Sequence, residues 1–293
     1  VYITRDITSE TNIFILSDKK GDCGDLYTVN EVPHGNVSKV WYDSPTLKMQ
    51  RRMTVYTPAG YDKGKDYPVL YLLHGAGGDE DAWTTLGRAQ HILDNLIATG
   101  KAKPMVVVMT NGNPNCQAAP GEWSAGQYIP SFYGYQGAKP AATMDESFPD
   151  VMNYVESHYK VAKDKAHRAI CGLSMGGGHS FDISRRFPTK FDYIGLFSAG
   201  LHVSTTGDFR NDFYKQLQGN EEAKTQLATL FKNKPKLYWI GMGKTDFLYK
   251  SSADLRRYFD EKGYKYTYLE TEGGHIWRNW RVYLTEFAQK IFK

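Results

Sequence analysis

The chain has 293 residues, of which 41% are hydrophobic and 23% are charged, a composition typical of a globular domain. Its net charge of +4 comes from 36 basic and 32 acidic residues scattered along the sequence, so no basic block predicts binding to nucleic acid. No apolar stretch approaches the roughly 18 residues needed to cross a bilayer, so we expect no membrane span.

The first 34 residues lack a helical period and differ in pattern from the rest of the chain. A turn-like segment at 20–24 follows a short apolar run, Ile13 to Leu16, that predicts one strand. We interpret residues 1–34 as a linker or the end of a preceding module, and residues 35–293 as the main domain. The chain begins at Val1 without a leader-like segment, as expected of a mature or excised chain.

The main domain opens with two β-rich runs, 37–42 and 53–56, that predict an antiparallel hairpin. Short apolar runs then alternate with amphipathic stretches, which predicts an α/β fold with a mainly parallel central sheet and helices on both faces. The further strands are expected at 69–73, 105–109, 169–173, 193–197, 237–240 and 266–269. The helices are expected at 80–99, 146–158, 175–187, 221–232, 252–262 and 277–292.

Residues 112–145 interrupt this alternation with a long segment rich in Pro, Gly, Asn and Ser. A connection of this length is usually functional or disordered. Because it also carries aromatic residues, we expect an ordered lid or cleft wall. These aromatic residues are Trp123, Tyr128, Phe132, Tyr133 and Tyr135.

The three cysteines lie at 23, 116 and 171 and show no metal-ligand spacing. The sequence leaves open whether Cys23 and Cys116 form a disulfide. Cys171 lies in an apolar run and is expected to be unreactive. We expect no metal and no cofactor, since no ligand cluster or cofactor motif is present.

A candidate nucleophile lies in the segment Gly172-Leu173-Ser174-Met175-Gly176-Gly177, between an apolar strand and a helix-like stretch. This strand–turn–helix setting is the one that a Gly-x-Ser-x-Gly nucleophile elbow requires. Glycines two residues to either side leave room for the neighbouring strand and helix. Ser174 is therefore the predicted nucleophile.

A serine hydroxyl needs a base, and in this type of fold the order along the chain is serine, acid, histidine. His275 lies on a glycine-rich turn between the last predicted strand and the last helix, where the base is expected. Asp246 follows the 237–240 strand and is the predicted acid that orients the histidine. Asp254 and Glu272 are the rival acids.

The negative charge that develops on a substrate carbonyl oxygen needs two fixed hydrogen-bond donors. One is expected to be the backbone N–H of Met175, directly after the nucleophile. The other is expected from the segment His74-Gly75-Ala76-Gly77-Gly78, which resembles the HGGG-type loop of lipases and esterases. The backbone N–H of Ala76 is the predicted second donor.

These motifs together resemble the feruloyl esterases of carbohydrate esterase family one, related to esterase D and to the antigen 85 mycolyltransferases. The resemblance covers residues 34–293 and implies the α/β-hydrolase fold, with the same triad and oxyanion positions. It rests on the segments 52–58, 67–75 and 172–177 and on Gly273-Gly274-His275-Ile276-Trp277-Arg278-Asn279-Trp280-Arg281.

The resemblance implies an enzyme, secreted or periplasmic, that releases hydroxycinnamic acids from feruloylated plant cell-wall xylan or its oligosaccharides. It also implies fusion to a carbohydrate-binding module, of which residues 1–34 would be the end. An acetyl-xylan esterase and a thioesterase similar to S-formylglutathione hydrolase stay open as alternatives, and a non-catalytic carbohydrate-binding protein is a remote one. An apolar slot for the acyl group is expected from Trp83, Leu201, Phe247 and Trp277.

Overall fold

The computed structural model describes residues 2–6, 9–13, 24–119, 140–203 and 209–293. They include one eight-stranded sheet that runs in the order β10-β9-β8-β7-β5-β6-β4-β3. Strands β3 and β4 form the predicted antiparallel hairpin, and β5 to β10 are parallel to one another. The strands of this sheet are β3 (Asn36–Ser44), β4 (Met49–Thr57), β5 (Val69–Leu73), β6 (Val106–Thr110), β7 (Arg168–Leu173), β8 (Tyr193–Phe197), β9 (Leu237–Gly243) and β10 (Thr267–Thr271).

A separate two-stranded antiparallel ribbon is formed by β1 (Tyr2–Asp6) and β2 (Ser9–Ile13). The sequence predicted a single strand beginning at Ile13, whereas Ile13 is the last residue of β2. Residues 14–16 of that prediction lie outside the described residues. Two strands are present here because Tyr2–Asp6 pairs antiparallel with Ser9–Ile13.

Helices cover both faces of the large sheet, as the alternating pattern predicted. They are α1 (Gly24–Tyr27), α2 (Ala82–Thr85), α3 (Ala89–Ala98), α4 (Met144–His158), α5 (Met175–Arg186), α6 (Phe209–Gln218), α7 (Glu221–Lys232), α8 (Tyr249–Lys262) and α9 (Trp277–Ala288), with short 3₁₀ helices at Tyr61–Lys63 and Lys165–His167. None of the helices in the described part of the chain combines the length and apolar character that crossing a bilayer requires.

One helix prediction was wrong, and one ten-residue helix was not predicted. The expected continuous helix over 80–99 is divided into α2 and α3, because Arg88 adopts a left-handed backbone conformation with a φ of 51°. Helix α6 was not expected, since its sequence is rich in polar residues. Its apolar side chains Phe213 and Leu217 are buried in the core, which explains how the helix is held against the domain.

The core consists of one apolar layer on each face of the sheet. Side chains of α4, α5, α7 and α8 pack on one face, and those of α3 and α9 pack on the other. Because β5 to β8 are covered on both faces, every residue of these strands is buried. This packing fixes the strand ends, and with them the loops that carry the site.

The segment after residue 24 packs on the second face. Tyr27 is buried, and its carbonyl accepts a hydrogen bond from Arg88 Nε at 2.8 Å. Asn95 Nδ2 donates to the carbonyls of Leu26 and Thr28 at 2.7 and 2.9 Å. These contacts attach the segment to the main domain, so they do not favour a domain boundary as late as residue 34. The division into residues 1–34 and 35–293 stays a prediction.

Candidate active site

Ser174 lies in a strained turn between β7 and α5. Its backbone has φ 52° and ψ −115°, values that a residue with a side chain adopts only when its surroundings hold it there. The Ser174 N–H donates to the carbonyl of Phe197 at 2.9 Å, and its carbonyl accepts from the N–H groups of Gly178 and Gly200 at 3.0 and 2.8 Å. These three hydrogen bonds hold the turn, and the Ser174 residue remains half-buried.

The glycines around Ser174 are required by close contacts. A Cβ atom at Gly172 would lie 2.5 Å from the backbone of Gly176, and one at Gly176 would lie 2.5 Å from the carbonyl oxygen of His74. Contacts this short with backbone atoms cannot be relieved by side-chain movement. The Gly-x-Ser-x-Gly pattern therefore follows from the packing of β7, α5 and the loop after β5.

His275 and Asp246 form a hydrogen-bonded pair on adjacent loops. His275 Nδ1 lies 3.0 Å from Asp246 Oδ1 and 2.9 Å from Oδ2, and the carboxylate is buried. Because the carboxylate accepts the proton of Nδ1, Nε2 is the ring nitrogen left to accept a proton. The N–H of Leu248 also donates to Asp246 Oδ1 at 2.9 Å, which fixes the carboxylate.

The loops that carry this pair are tied to each other. The Thr245 N–H donates to the Gly273 carbonyl at 3.0 Å, and Asn279 Nδ2 donates to the Gly274 carbonyl at 3.0 Å. Asn279 is buried, and nothing in the sequence singles it out beyond its place in the motif that carries the resemblance. Its amide holds the turn that presents His275.

The two rival acids have other partners. Asp254 lies within α8 and pairs with Lys250 on the same helix, with the two charged atoms 3.3 Å apart. Glu272 is largely exposed and pairs with Lys244. Asp246 is therefore the acid that the structure brings to His275.

The imidazole of His275 is flanked by two aromatic rings. Its ring centre lies 4.5 Å from that of Phe247 and 4.9 Å from that of Trp280, which meets it edge to face. The imidazole side chain is only 13% exposed. The two rings restrict its rotation while the carboxylate fixes its tautomer.

The loop after β5 packs directly against the nucleophile. A Cβ atom at Gly75 would lie 2.5 Å from Leu173 Cδ1 and 3.2 Å from Ser174 Cβ, so this loop and Ser174 are in contact. The Gly78 N–H donates to the Gly75 carbonyl at 3.1 Å and closes a tight turn that contains Ala76. Met175 is the first residue of α5, so its N–H belongs to the open N-terminal turn of that helix. Ala76 thus belongs to a turn that contacts Ser174, and Met175 directly follows Ser174 in the chain. Their role as oxyanion donors stays a prediction.

A buried carboxylate joins this loop to the segment that follows β6. Glu80 Oε1 accepts from Arg52 Nε at 2.7 Å and from the Ala119 N–H at 2.8 Å, while Oε2 accepts from Asn111 Nδ2 at 3.0 Å. Glu80 is 0% exposed and Arg52 is also buried. Sequence reasoning missed this pair, because its members are 28 residues apart and no spacing rule links Arg52, at the start of the 52–58 segment, to Glu80.

Two of the four residues expected to line an apolar slot are part of the core instead. Trp83 is 1% exposed, its indole N–H donates to the Leu73 carbonyl at 2.9 Å, and its ring packs edge to face on Trp277. Leu201 is also 1% exposed and belongs to the apolar layer on the other face of the sheet. Neither side chain has surface to offer a ligand in this structure, which corrects that expectation.

The remaining two residues do reach the surface near His275. Phe247 is 58% exposed and lies against the imidazole, while Trp277 is half-buried. Their contact with substrate stays a prediction. The aromatic residues of 112–145 that were expected to form an outer wall lie outside the described residues, as does Cys23. Cys116 and Cys171 are both buried, and burial raises the pKa of the Cys171 thiol.

Residues 44–291 match the family model described as "Putative esterase". An endo-1,4-beta-xylanase/feruloyl esterase of Xylanibacter ruminicola is 33% identical over 272 residues, which cover 90% of this chain and 32% of the relative. The chain thus spans about a third of that relative's length. An acetyl esterase of Caldicellulosiruptor saccharolyticus is 23% identical over 86% of this chain and 90% of its own length.

Among solved structures, a ferulic acid esterase superposes with a TM-score of 0.69 and 24% identity, over 87% of this chain and 97% of that one. At this identity the likeness establishes a shared fold. The eight-stranded, mainly parallel sheet with helices on both faces, carrying a nucleophile elbow, is the α/β-hydrolase fold. By its sheet, its elbow and the match over residues 44–291, the chain belongs to this esterase family.

Proposed function

We propose that this chain is a serine carboxylic-ester hydrolase that releases hydroxycinnamic acids from feruloylated arabinoxylan. The observation that carries the proposal is the hydrogen-bonded Asp246–His275 pair at the same sheet edge as the strained Ser174 turn. A serine becomes a nucleophile when a correctly oriented histidine can accept its proton. Ser174, Asp246 and His275 are accordingly the proposed triad.

In the proposed reaction, Ser174 Oγ attacks the ester carbonyl carbon while His275 Nε2 takes the hydroxyl proton. The tetrahedral intermediate places its negative oxygen between the backbone N–H groups of Ala76 and Met175. The intermediate collapses, the C–O bond to the sugar breaks, and His275 returns the proton to the leaving alcohol. Water then attacks the acyl-enzyme by the same steps, releasing the acid and restoring Ser174.

The acyl group is proposed from the activities of the similar proteins together with one exposed aromatic residue beside His275. The most identical relative named above is a xylanase/feruloyl esterase, and the superposed structure is a ferulic acid esterase. Phe247 presents an exposed aromatic ring beside His275, and such a ring favours a planar hydroxycinnamoyl group. Phe247 and Trp277 are the proposed contacts with that group.

A polymeric cell-wall substrate also bears on where the enzyme acts. Xylan does not enter a cell intact, so the proposal places the protein outside the cytoplasm, secreted or periplasmic. The length of the xylanase relative supports a setting in which such a domain is joined to further modules, including a carbohydrate-binding one.

Acetyl ester hydrolysis is the second candidate, because a relative that matches over 90% of its own length is named an acetyl esterase. The same triad would serve a short acyl group, and it would also serve the thioester of an S-formylglutathione hydrolase-like enzyme. The candidates differ in the acyl group and the leaving group, so substrate competition separates them.

The experiment compares the protein with Ser174→Ala on feruloylated arabinoxylan and on acetylated xylan, with the released acids identified by chromatography. We expect ferulic acid from the unaltered protein and none from the variant. Methyl ferulate, a short acetyl ester and a short thioester are then compared by kcat/KM. Release of acetate alone, or faster thioester cleavage, would replace the feruloyl assignment, and polysaccharide binding without any hydrolysis would replace the enzyme.

A further inference from the structure

A continuous chain of hydrogen bonds runs from a buried arginine to the predicted oxyanion donor. Arg51 Nη2 donates to the carbonyl of Asn111, and the next N–H, that of Gly112, donates to His74 Nε2 at 2.8 Å. His74 Nδ1 in turn donates to the carbonyl of Gly75 at 2.7 Å. The N–H that follows this carbonyl is that of Ala76. Two peptide units and one imidazole ring are thereby linked in sequence.

The partners of His74 determine its tautomer. Nε2 faces a backbone N–H, which can only donate, so Nε2 must be unprotonated. Nδ1 faces a carbonyl oxygen, which can only accept, so Nδ1 must carry the proton. Burial lowers the pKa of His74 to about 4, which keeps the ring neutral near pH 7, while Glu80 acts to raise this pKa and Arg51 to lower it.

Every hydrogen bond in this series is oriented in the same direction. In a trans peptide the C=O and N–H bonds point in opposite directions. A hydrogen bond donated to the Asn111 carbonyl therefore polarises the Gly112 N–H of the same peptide unit. The imidazole transmits this polarisation to the Gly75 carbonyl and hence to the Ala76 N–H. Hydrogen bonds aligned in this manner strengthen one another, and a charged first donor adds to the effect.

Arg51 is suited to be the source of this polarisation. It is 0% exposed, and its Nη2 also donates to the Asn113 carbonyl at 3.2 Å. Within the described part of the chain no carboxylate pairs with it, and Nε and Nη1 have no hydrogen-bond partner there. The adjacent Arg52, by contrast, is neutralised by Glu80. Among the residues that the structure describes, no ion pair therefore cancels the positive charge of Arg51.

We propose that Arg51 and His74 are positioning residues that fix and polarise the Ala76 N–H through this hydrogen-bond chain, and so strengthen the oxyanion hole. The inference rests on the proposed function, in which Ala76 is an oxyanion donor. Because charge on the carbonyl oxygen is largest in the transition state, a weaker Ala76 donor lowers kcat and leaves KM nearly unchanged.

The kinetic test uses Arg51→Met, which removes the charge, and Arg51→Lys, which retains it. Loss of a whole oxyanion donor costs about 100-fold to 1,000-fold in kcat, so weakening one should cost about tenfold in Arg51→Met, with KM changed less than about twofold. Arg51→Lys should recover most of the loss. His179→Gln is the matched control: His179 also lies against Gly112 and has its pKa lowered to about 4 by burial, but it is not a link in the chain.

The spectroscopic test begins with the unaltered protein, so its first part does not depend on whether an Arg51 variant folds. In the unaltered protein labelled with ¹⁵N-histidine, the ring nitrogen shifts of His74 should show a protonated Nδ1 and an unprotonated Nε2 at pH 7. The Ala76 amide proton should move upfield in Arg51→Met and return toward its original position in Arg51→Lys. A protonated Nε2, or an Ala76 resonance indifferent to Arg51, would overturn the proposal.

These outcomes separate the inference from the function on which it rests. If Ser174→Ala still hydrolysed esters, the proposed function would fail, whatever the tautomer of His74. If Ser174→Ala were inactive but Arg51→Met and Arg51→Lys both kept full kcat, only the hydrogen-bond chain would lose its role. Equal losses of kcat in His179→Gln and Arg51→Met would also refute the role of the hydrogen-bond chain, because a general disturbance around Gly112 would then explain both losses.

Discussion

Replacing Glu80 by Gln should weaken the fold strongly although the two side chains have the same shape. The carboxylate is fully buried and accepts three hydrogen bonds, from Arg52, Asn111 and the backbone of Ala119. Glutamine offers one acceptor oxygen and one NH₂ group, so at least one of these donors must face another donor. Asn111 cannot resolve the conflict by rotating its amide, since its Oδ1 already accepts from the Asn113 N–H at 2.9 Å.

The size of the effect follows from these contacts. Loss of the charge on the acceptor removes about 1.5–3 kcal/mol of hydrogen bonding from Arg52, and a buried donor left without an acceptor costs about 1–3 kcal/mol. The sum, about 4 kcal/mol, agrees with the roughly 3–5 kcal/mol expected when one member of a buried ion pair is removed. At about 2–4 °C per kcal/mol, Glu80→Gln should lower Tm by about 10 °C.

Urea unfolding followed by tryptophan fluorescence measures this change in the free energy of unfolding. Glu222→Gln is the matched control, because Glu222 is exposed on α7 and accepts one hydrogen bond from Gln226 on the same helix. We expect the control to change stability by less than about 0.5 kcal/mol. A loss below about 1 kcal/mol in Glu80→Gln would refute the reasoning, since it would mean that neither the charge nor the third acceptor site matters.

Three further predictions concern the triad, the exposed ring of Phe247 and the pH dependence of stability. Asp246→Asn should lower kcat by about 10⁴-fold with little change in Tm, because an amide can stabilise the wrong tautomer of His275; steady-state kinetics on methyl ferulate checks this. Phe247→Ala should raise KM for methyl ferulate by about tenfold and change a short acetyl ester less, because a buried aromatic contact is worth about 1–3 kcal/mol; equal changes on both esters would argue against acyl contact. Burial lowers the pKa of His74 and His179 from 6.5 to about 4, so between these pH values the unfolded chain binds more protons than the folded one. The free energy of unfolding should therefore fall as pH drops from 6.5 to 4, by up to about 1.4 kcal/mol per pH unit for each histidine, and His179→Gln should flatten this slope in urea titrations at stepped pH.

The sequence by itself determined the fold class and the three residues of the candidate triad. The elbow around Ser174 has a local signature, because the strand, the turn and the helix follow one another in the sequence and their close packing with the loop after β5 requires the glycines. Asp246 and His275 could be located because parallel strands bring successive loops to one edge of a sheet, so their order along the chain predicts their neighbourhood. These inferences depend on connectivity, which a sequence states directly.

Tertiary structure decided which of the candidate side chains are buried and which pairs meet. Trp83 and Leu201 resembled ligand-lining residues in the sequence, but packing places both in the core. The Glu80–Arg52 ion pair and the hydrogen bonds between Arg51, Asn111, Gly112 and His74 join segments that are distant along the chain. Neither periodicity nor composition encodes such contacts, because they depend on how the loops after β5 and β6 pack against β4, and only the folded arrangement sets those distances.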